Sequence, residues 1–143
     1  MIEINNLTNF NIDKKLFTGV AKKVLTGENK GTTTAKRGPV CGKNISIAFV
    51  AKSEMQKLNK KFRGIDKPTD VLAFGENLKS EYRNPKFFDL GEVVICPEVV
   101  EEKKETIEEV LVHGILHLCG YDHEKSEKEA EEMESQEKKY LSK

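Results

Sequence analysis

Residues 45–64 read Ile45-Ser-Ile-Ala-Phe-Val50-Ala-Lys-Ser53-Glu-Met-Gln56-Lys-Leu-Asn-Lys-Lys-Phe-Arg63-Gly64, a strand signal followed at once by a helix signal. Ile45 to Val50 is dense in β-branched and aromatic side chains, the composition of a buried strand. Met55, Leu58 and Phe62 then recur at helical spacing, Ser53 and Gln56 stand as a capping box, and Gly64 supplies a stop. Working outward, Ile2 and Ile4 alternate with Glu3 and Asn5 as a short strand. Leu16, Phe17, Val20, Ala21, Val24 and Leu25 form one helix face, which Gly27 ends. Downstream, Val71–Phe74 and Val93–Ile95 predict two further strands, and Pro97 opens a helix. Thr106 to Glu109 is a second capping box, heading an apolar helix that runs through Cys119 and stops at Gly120. Ser126 to Leu141 reads as a charged, solvated helix anchored by Met133, Tyr140 and Leu141. This order predicts an α+β fold: a mixed sheet of about four strands with packed helices, in one domain over residues 1–143.

Composition narrows the function classes. Of 143 residues, 37% are hydrophobic and 34% charged, enough apolar material for one core under a charged surface, so disorder is excluded. The longest apolar stretches are a few residues, against the roughly 20 needed to span a bilayer. Met1-Ile2-Glu3-Ile4 has neither a basic nor an apolar leader region, which points to the cytoplasm. Lys and Arg total 24 and Asp and Glu total 24, so bulk attraction to nucleic acid is excluded and only local asymmetry remains. Cys41, Cys96 and Cys119 are odd in number and widely spaced, which predicts reduced thiols with no disulfide partner. Residues 26–44 carry four glycines, a proline and four threonines without periodicity. They read as a loop of unassigned role, its net charge of +3 belonging to a solvated surface more readily than to a polyanion site.

All three histidines fall in one segment, His113-Gly-Ile-Leu-His117-Leu-Cys-Gly-Tyr-Asp-His123. Helical residues four apart differ by about 40° in direction and about 6 Å in height, so His113 and His117 can aim at one point. Gly120 permits the turn that brings His123 to the same ion from another side. Three imidazoles favour zinc or another late divalent metal, and three protein ligands leave a position open for water, which predicts a metal-dependent hydrolase. The competing reading makes them core histidines plus a surface one. Zinc proteases place Glu directly after the first histidine of such a zincin-like helix, and here that position is Gly114, so the standard proteolytic base is missing. Asp122 either orients a histidine through its other ring nitrogen or caps the following helix and turn.

The segment HGILHLCGYDH resembles the signature of the YbeY family of bacterial endoribonucleases. Leu58-Asn-Lys-Lys-Phe-Arg63 with Pro68-Thr-Asp-Val-Leu-Ala-Phe74, and Leu90-Gly-Glu-Val-Val-Ile95, resemble that family's other two blocks in the same order. The resemblance implies a zinc-dependent endoribonuclease that acts on single-stranded RNA in ribosomal RNA maturation and ribosome quality control. It implies zinc ligands at His113, His117 and His123, and it matches Arg63 to an arginine of the active-site cleft. The chain departs from the family at Ala73, Phe74 and Gly75, where Ser and then Phe-Pro are common, so no polar group stands at position 73. Its loop 26–44 is also longer than usual.

The residues around Arg63 agree with this. Residues 52–67 hold six basic and two acidic side chains, net +4. Arginine binds phosphate through a bidentate fork that lysine lacks, while Lys57, Lys60 and Lys61 read as a solvated helix face. Two alternatives stand beside the nuclease. One is a ribosome-associated binding factor with a structural zinc; the other, disfavoured by Gly114, is a metallopeptidase.

Overall fold

The computed structural model describes residues 2–28, 44–75, 90–121 and 126–141. Strands β1 (Ile2–Asn6), β2 (Ile45–Phe49), β3 (Val71–Phe74) and β4 (Gly91–Ile95) form one mixed sheet in the order β1-β2-β4-β3. The first three positions in that order run parallel, and β3 is antiparallel to β4. Helices α1 (Lys14–Glu28), α2 (Lys52–Arg63), α3 (Pro97–Glu102), α4 (Ile107–Leu118) and α5 (Glu127–Leu141) pack around the sheet. The class is α+β, as the element order predicted.

Every residue of β2 and β4 is buried, because both faces of these central strands are covered by helices. Ser46 and Glu92 are the polar exceptions, and they pair side by side, Ser46 Oγ donating to Glu92 Oε2 at 3.1 Å. The apolar side chains alternate between two cores. Ile45, Ile47, Phe49, Val93 and Ile95 cluster with α1, α4 and α5, whereas Ala48, Val50, Val94 and Cys96 cluster with Met55 and Leu58 of α2 and Val99 of α3. Helices α2 and α4 therefore lie on opposite faces of the sheet, with β3 at the end of the strand order between them.

Helix α4 carries the histidines, and packing fixes its place. Its buried Val110, Leu111, Val112, Ile115, Leu116 and Leu118 each contribute roughly 1.5–3 kcal/mol, against about 1 kcal/mol for a cap. The predicted capping box is formed: Thr106 Oγ1 accepts from the Glu109 N–H at 3.1 Å, and Glu109 Oε1 accepts from the Thr106 N–H at 3.3 Å. At the other end Gly120 adopts φ 103°, a positive value that glycine tolerates best. The Gly120 N–H reaches His117 O and the Tyr121 N–H reaches Leu116 O, the paired bonds of a Schellman turn.

Four local expectations are corrected. The Ser53–Gln56 capping box is not the start of α2: the N-cap is Ala51 with no side-chain bond, because Val50 still pairs with Ile95 O and the helix begins two residues later, at Lys52. Gly27 does not end α1, which continues to Glu28. A Cβ at Gly27 would lie 2.4 Å from the Tyr140 hydroxyl, so the glycine makes room for α5. Thr26 to Glu28 accordingly belong to α1 and Asn44 leads directly into β2, while the rest of the predicted loop, 29–43 with Cys41, lies outside the described residues. Leu141 is 37% exposed and Leu16 also faces outward, so α5 is anchored by Met133 and Tyr140 without Leu141. Cys96 and Cys119 are buried free thiols, and burial pushes the Cys96 thiol up.

A carboxyl pair ties α4's approach to β3. Asp70 accepts from the Val71 N–H at 2.8 Å, with Lys103 Nζ 3.6 Å from its other oxygen. Burial would raise the Asp70 carboxyl, but its bond with Glu105 and the Lys103 charge outweigh that and hold it down. Burial and the Asp70 carboxylate push Glu105 up to about 7. The raised group stabilises the fold fully below the ordinary carboxyl range, and that contribution is lost as pH rises through about 7. Glu105→Gln, a donor at every pH, should therefore remove part of the stability loss between pH 5 and 8, about 1 kcal/mol after solvent screening. Melting curves of both proteins across that range check it; identical pH slopes would contradict it.

Candidate metal centre

His113 and His117 lie one turn apart on α4, both partly exposed, flanked by buried Val112, Gly114, Leu116 and Leu118. Their rings stand nearly perpendicular, at 81°, with centroids 4.6 Å apart. The two Nε2 atoms face each other at 3.1 Å. Two nitrogens bound at zinc distances on a tetrahedral ion stand about 3.3 Å apart, so the pair fits a shared late divalent metal with little movement. Among the described residues no group of three His, Cys, Asp or Glu side chains forms a complete metal set. Asp122 and His123 lie outside the described residues, immediately beyond the Gly120 turn.

The other ring nitrogen of His113 is also engaged. Glu137, from α5, places Oε1 2.6 Å from His113 Nδ1. A carboxylate only accepts, so Nδ1 carries the proton in this contact and the Nε2 lone pair is turned toward His117. This orienting role is one of the two that the sequence offers for Asp122, whereas Glu137 stands outside the signature segment. The available signal was helical spacing: Glu137 falls four residues after Met133 and three before Tyr140, the two buried anchors of α5.

Gly114 explains the missing glutamate. A Cβ there would meet Val93 Cγ1 at 2.7 Å and Val71 Cγ2 at 3.2 Å. The histidine helix thus presses directly on β4 and β3, and the small residue at position 114 serves this packing.

Below the histidines a buried carboxylate clamps the chain. Glu28, at the end of α1, is 1% exposed. It accepts from Tyr121 at 2.8 Å and from Tyr140 at 2.5 Å, while Gln136 Nε2 donates to the Tyr121 hydroxyl at 3.3 Å. Burial and the Glu28 charge raise both phenols, so they remain donors across the physiological range. Two helices, α1 and α5, and the turn after α4 meet at this one carboxylate, which would cost several kcal/mol if left unpaired.

Arg63 ends α2 with an exposed side chain, beside exposed Lys57, Lys60 and Lys61. It is not on the histidines' face of the sheet. Strand β3 separates them: Phe74 packs edge-on against Phe62 at 4.9 Å on one side, while Val71 and Ala73 join the α4 core on the other. Position 73 thus serves packing, consistent with its lack of a polar group.

A sequence profile of the family described as Endoribonuclease YbeY matches residues 3–143. The chain belongs to that family. Endoribonuclease YbeY of Thermotoga neapolitana is 39% identical over 130 residues, covering 84% of this chain and 80% of the relative. Endoribonuclease YbeY of Acinetobacter baumannii is 43% identical over 109 residues, covering 69% and 68%. The solution structure of TM1509 from Thermotoga maritima matches with a TM-score of 0.55 at 30% identity, over 98% of this chain and 86% of that one. The family resemblance read from the three sequence blocks is borne out, and with it the class of enzyme, a hydrolase that cuts within RNA. No helix among the described residues is long and apolar enough to cross a membrane.

Proposed function

We propose that this chain, as one domain over residues 1–143, is a zinc-dependent endoribonuclease. It cuts single-stranded RNA in the cytoplasm during ribosomal RNA maturation and ribosome quality control. The observation that carries the metal reading is the convergence of the His113 and His117 Nε2 atoms at 3.1 Å in a chain of the YbeY family. His113, His117 and His123 hold the ion, zinc or a divalent metal of similar preference. When bound, it supplies Lewis-acid polarisation of a phosphodiester oxygen and acidifies water near neutral pH. Arg63 grips a phosphate through its fork, and Lys57, Lys60 and Lys61 add positive potential along the same helix. Support for Arg63 comes from its neighbour Phe62, which rests on β3, the strand whose other face backs the histidine helix. RNA bound by both centres passes around that strand. Asp122 orients a histidine, since Ser126 already caps α5, its Oγ accepting from the Glu129 N–H at 3.2 Å.

Cleavage of single-stranded and duplex RNA of one sequence by the zinc-loaded protein tests the substrate class, the single strand being the expected target. Arg63→Ala should keep its zinc and lose roughly 100-fold or more in cleavage rate, the scale of one lost charge-stabilising contact. Unchanged kinetics would remove Arg63 from the reaction. The second reading, a ribosome-associated binding factor with structural zinc, is favoured by Gly114 standing where a metalloprotease has its base. Salt-dependent ribosome binding without RNA turnover at any metal would select it.

A further inference from the structure

Helix α5 has the composition of a solvated surface helix, yet one of its carboxylates points inward. Met133 and Tyr140 dock α5 against the core, and Glu137 lies between them on the same face. Its side chain is 26% exposed, that of His113 is 29%, and Glu137 Oε1 lies 2.6 Å from His113 Nδ1. This is the short range of a charge-assisted bond. A surface ion pair between two helices would be worth little and would leave the imidazole free to change tautomer or flip. Here the same ring is constrained from both ends, by Glu137 at Nδ1 and by the His117 nitrogen at Nε2.

We propose that Glu137 is a positioning residue: it fixes the His113 ring and its Nδ1–H tautomer, so that Nε2 is presented beside His117 for metal. The proposal rests on the reading of these two histidines as metal ligands. It also gives α5 a part in the site, since the helix that supplies the carboxylate is held by Tyr140 on buried Glu28. A partner on a ligating imidazole typically changes metal affinity by about 10- to 100-fold when removed.

The test has one arm without metal. In the metal-free protein, nitrogen NMR of the His113 ring should show the Nδ1–H tautomer in the native chain, a loss of that preference in Glu137→Ala, and its retention in Glu137→Gln, whose amide oxygen still accepts. In the second arm, zinc is titrated in competition with a chromophoric chelator. Glu137→Ala should bind zinc about 10- to 100-fold more weakly, and Glu137→Gln within about threefold of native. An unchanged tautomer, or tight zinc binding by native protein and Glu137→Ala alike, overturns the role of Glu137 alone. Native protein that binds zinc no more tightly than His117→Ala overturns the metal centre and this proposal with it.

Discussion

His117→Ala is expected to lose zinc and to cut single-stranded RNA at least about a hundredfold more slowly, while remaining folded. The size of the effect follows from what one imidazole does. Its Nε2 is one half of the 3.1 Å pair, and removing it leaves His113 as the sole ligand on α4. On the proposed reading a bound ion would supply charge stabilisation at the reacting phosphodiester, and single groups with that role carry about two to three powers of ten in rate. Folding should survive because the ring is partly exposed and the adjacent Leu116 and Leu118 carry the packing. Circular dichroism and a melting curve near native, beside the rate, separate a lost ligand from a lost fold. Retained cleavage in a zinc-free variant would contradict the ligand assignment.

Gly114→Glu is expected to cost about 4 kcal/mol or more, enough to leave much of the population unfolded. The change would restore the zinc-protease pattern in the sequence and break the fold that carries it. The first side-chain carbon already falls 2.7 Å from Val93 Cγ1, so α4 must lift off the sheet or β4 must yield. The carboxylate would then be driven among Val71 and Val93 with no cation to pair, a penalty of several kcal/mol. Gly114→Ala meets the same contact without the charge and should cost about 1–3 kcal/mol. Denaturant titrations of the three proteins give the order directly. A fully stable Gly114→Glu that cleaves casein with added metal would show that only the missing base separated this chain from a peptidase.

How much of this was legible depended on how local the determinant is. The fold class, the Thr106–Glu109 box, the positive φ of Gly120 and the one-turn spacing of His113 and His117 are set by residues within a few positions of one another. Each was readable. Ser53 misled because a capping pattern fixes a helix start only when the chain is free to turn there. Here β2 runs almost directly into α2, and the start falls at Lys52. Gly27 has the composition of a stop and the job of a contact surface, and only the docking of Tyr140 distinguishes them. Glu137 and Glu28 lie 24 and 93 residues from His113 and Tyr121, their partners. Nothing near them in the chain marks them out from the other carboxylates, beyond the spacing of the Met133 and Tyr140 anchors. The balanced charge of the whole chain is silent on any local site for the same reason, since local potential depends on which charges folding gathers together.

RNA cleavage by this chain should depend on an ion held by the α4 histidines. The most direct measurement strips native protein with a chelator, refills it with zinc, and follows zinc content and single-stranded RNA cleavage together, with His117→Ala alongside. Native activity should disappear on stripping and return with roughly one equivalent of zinc, while His117→Ala should recover neither. Stripped protein that cuts RNA at the native rate would contradict it.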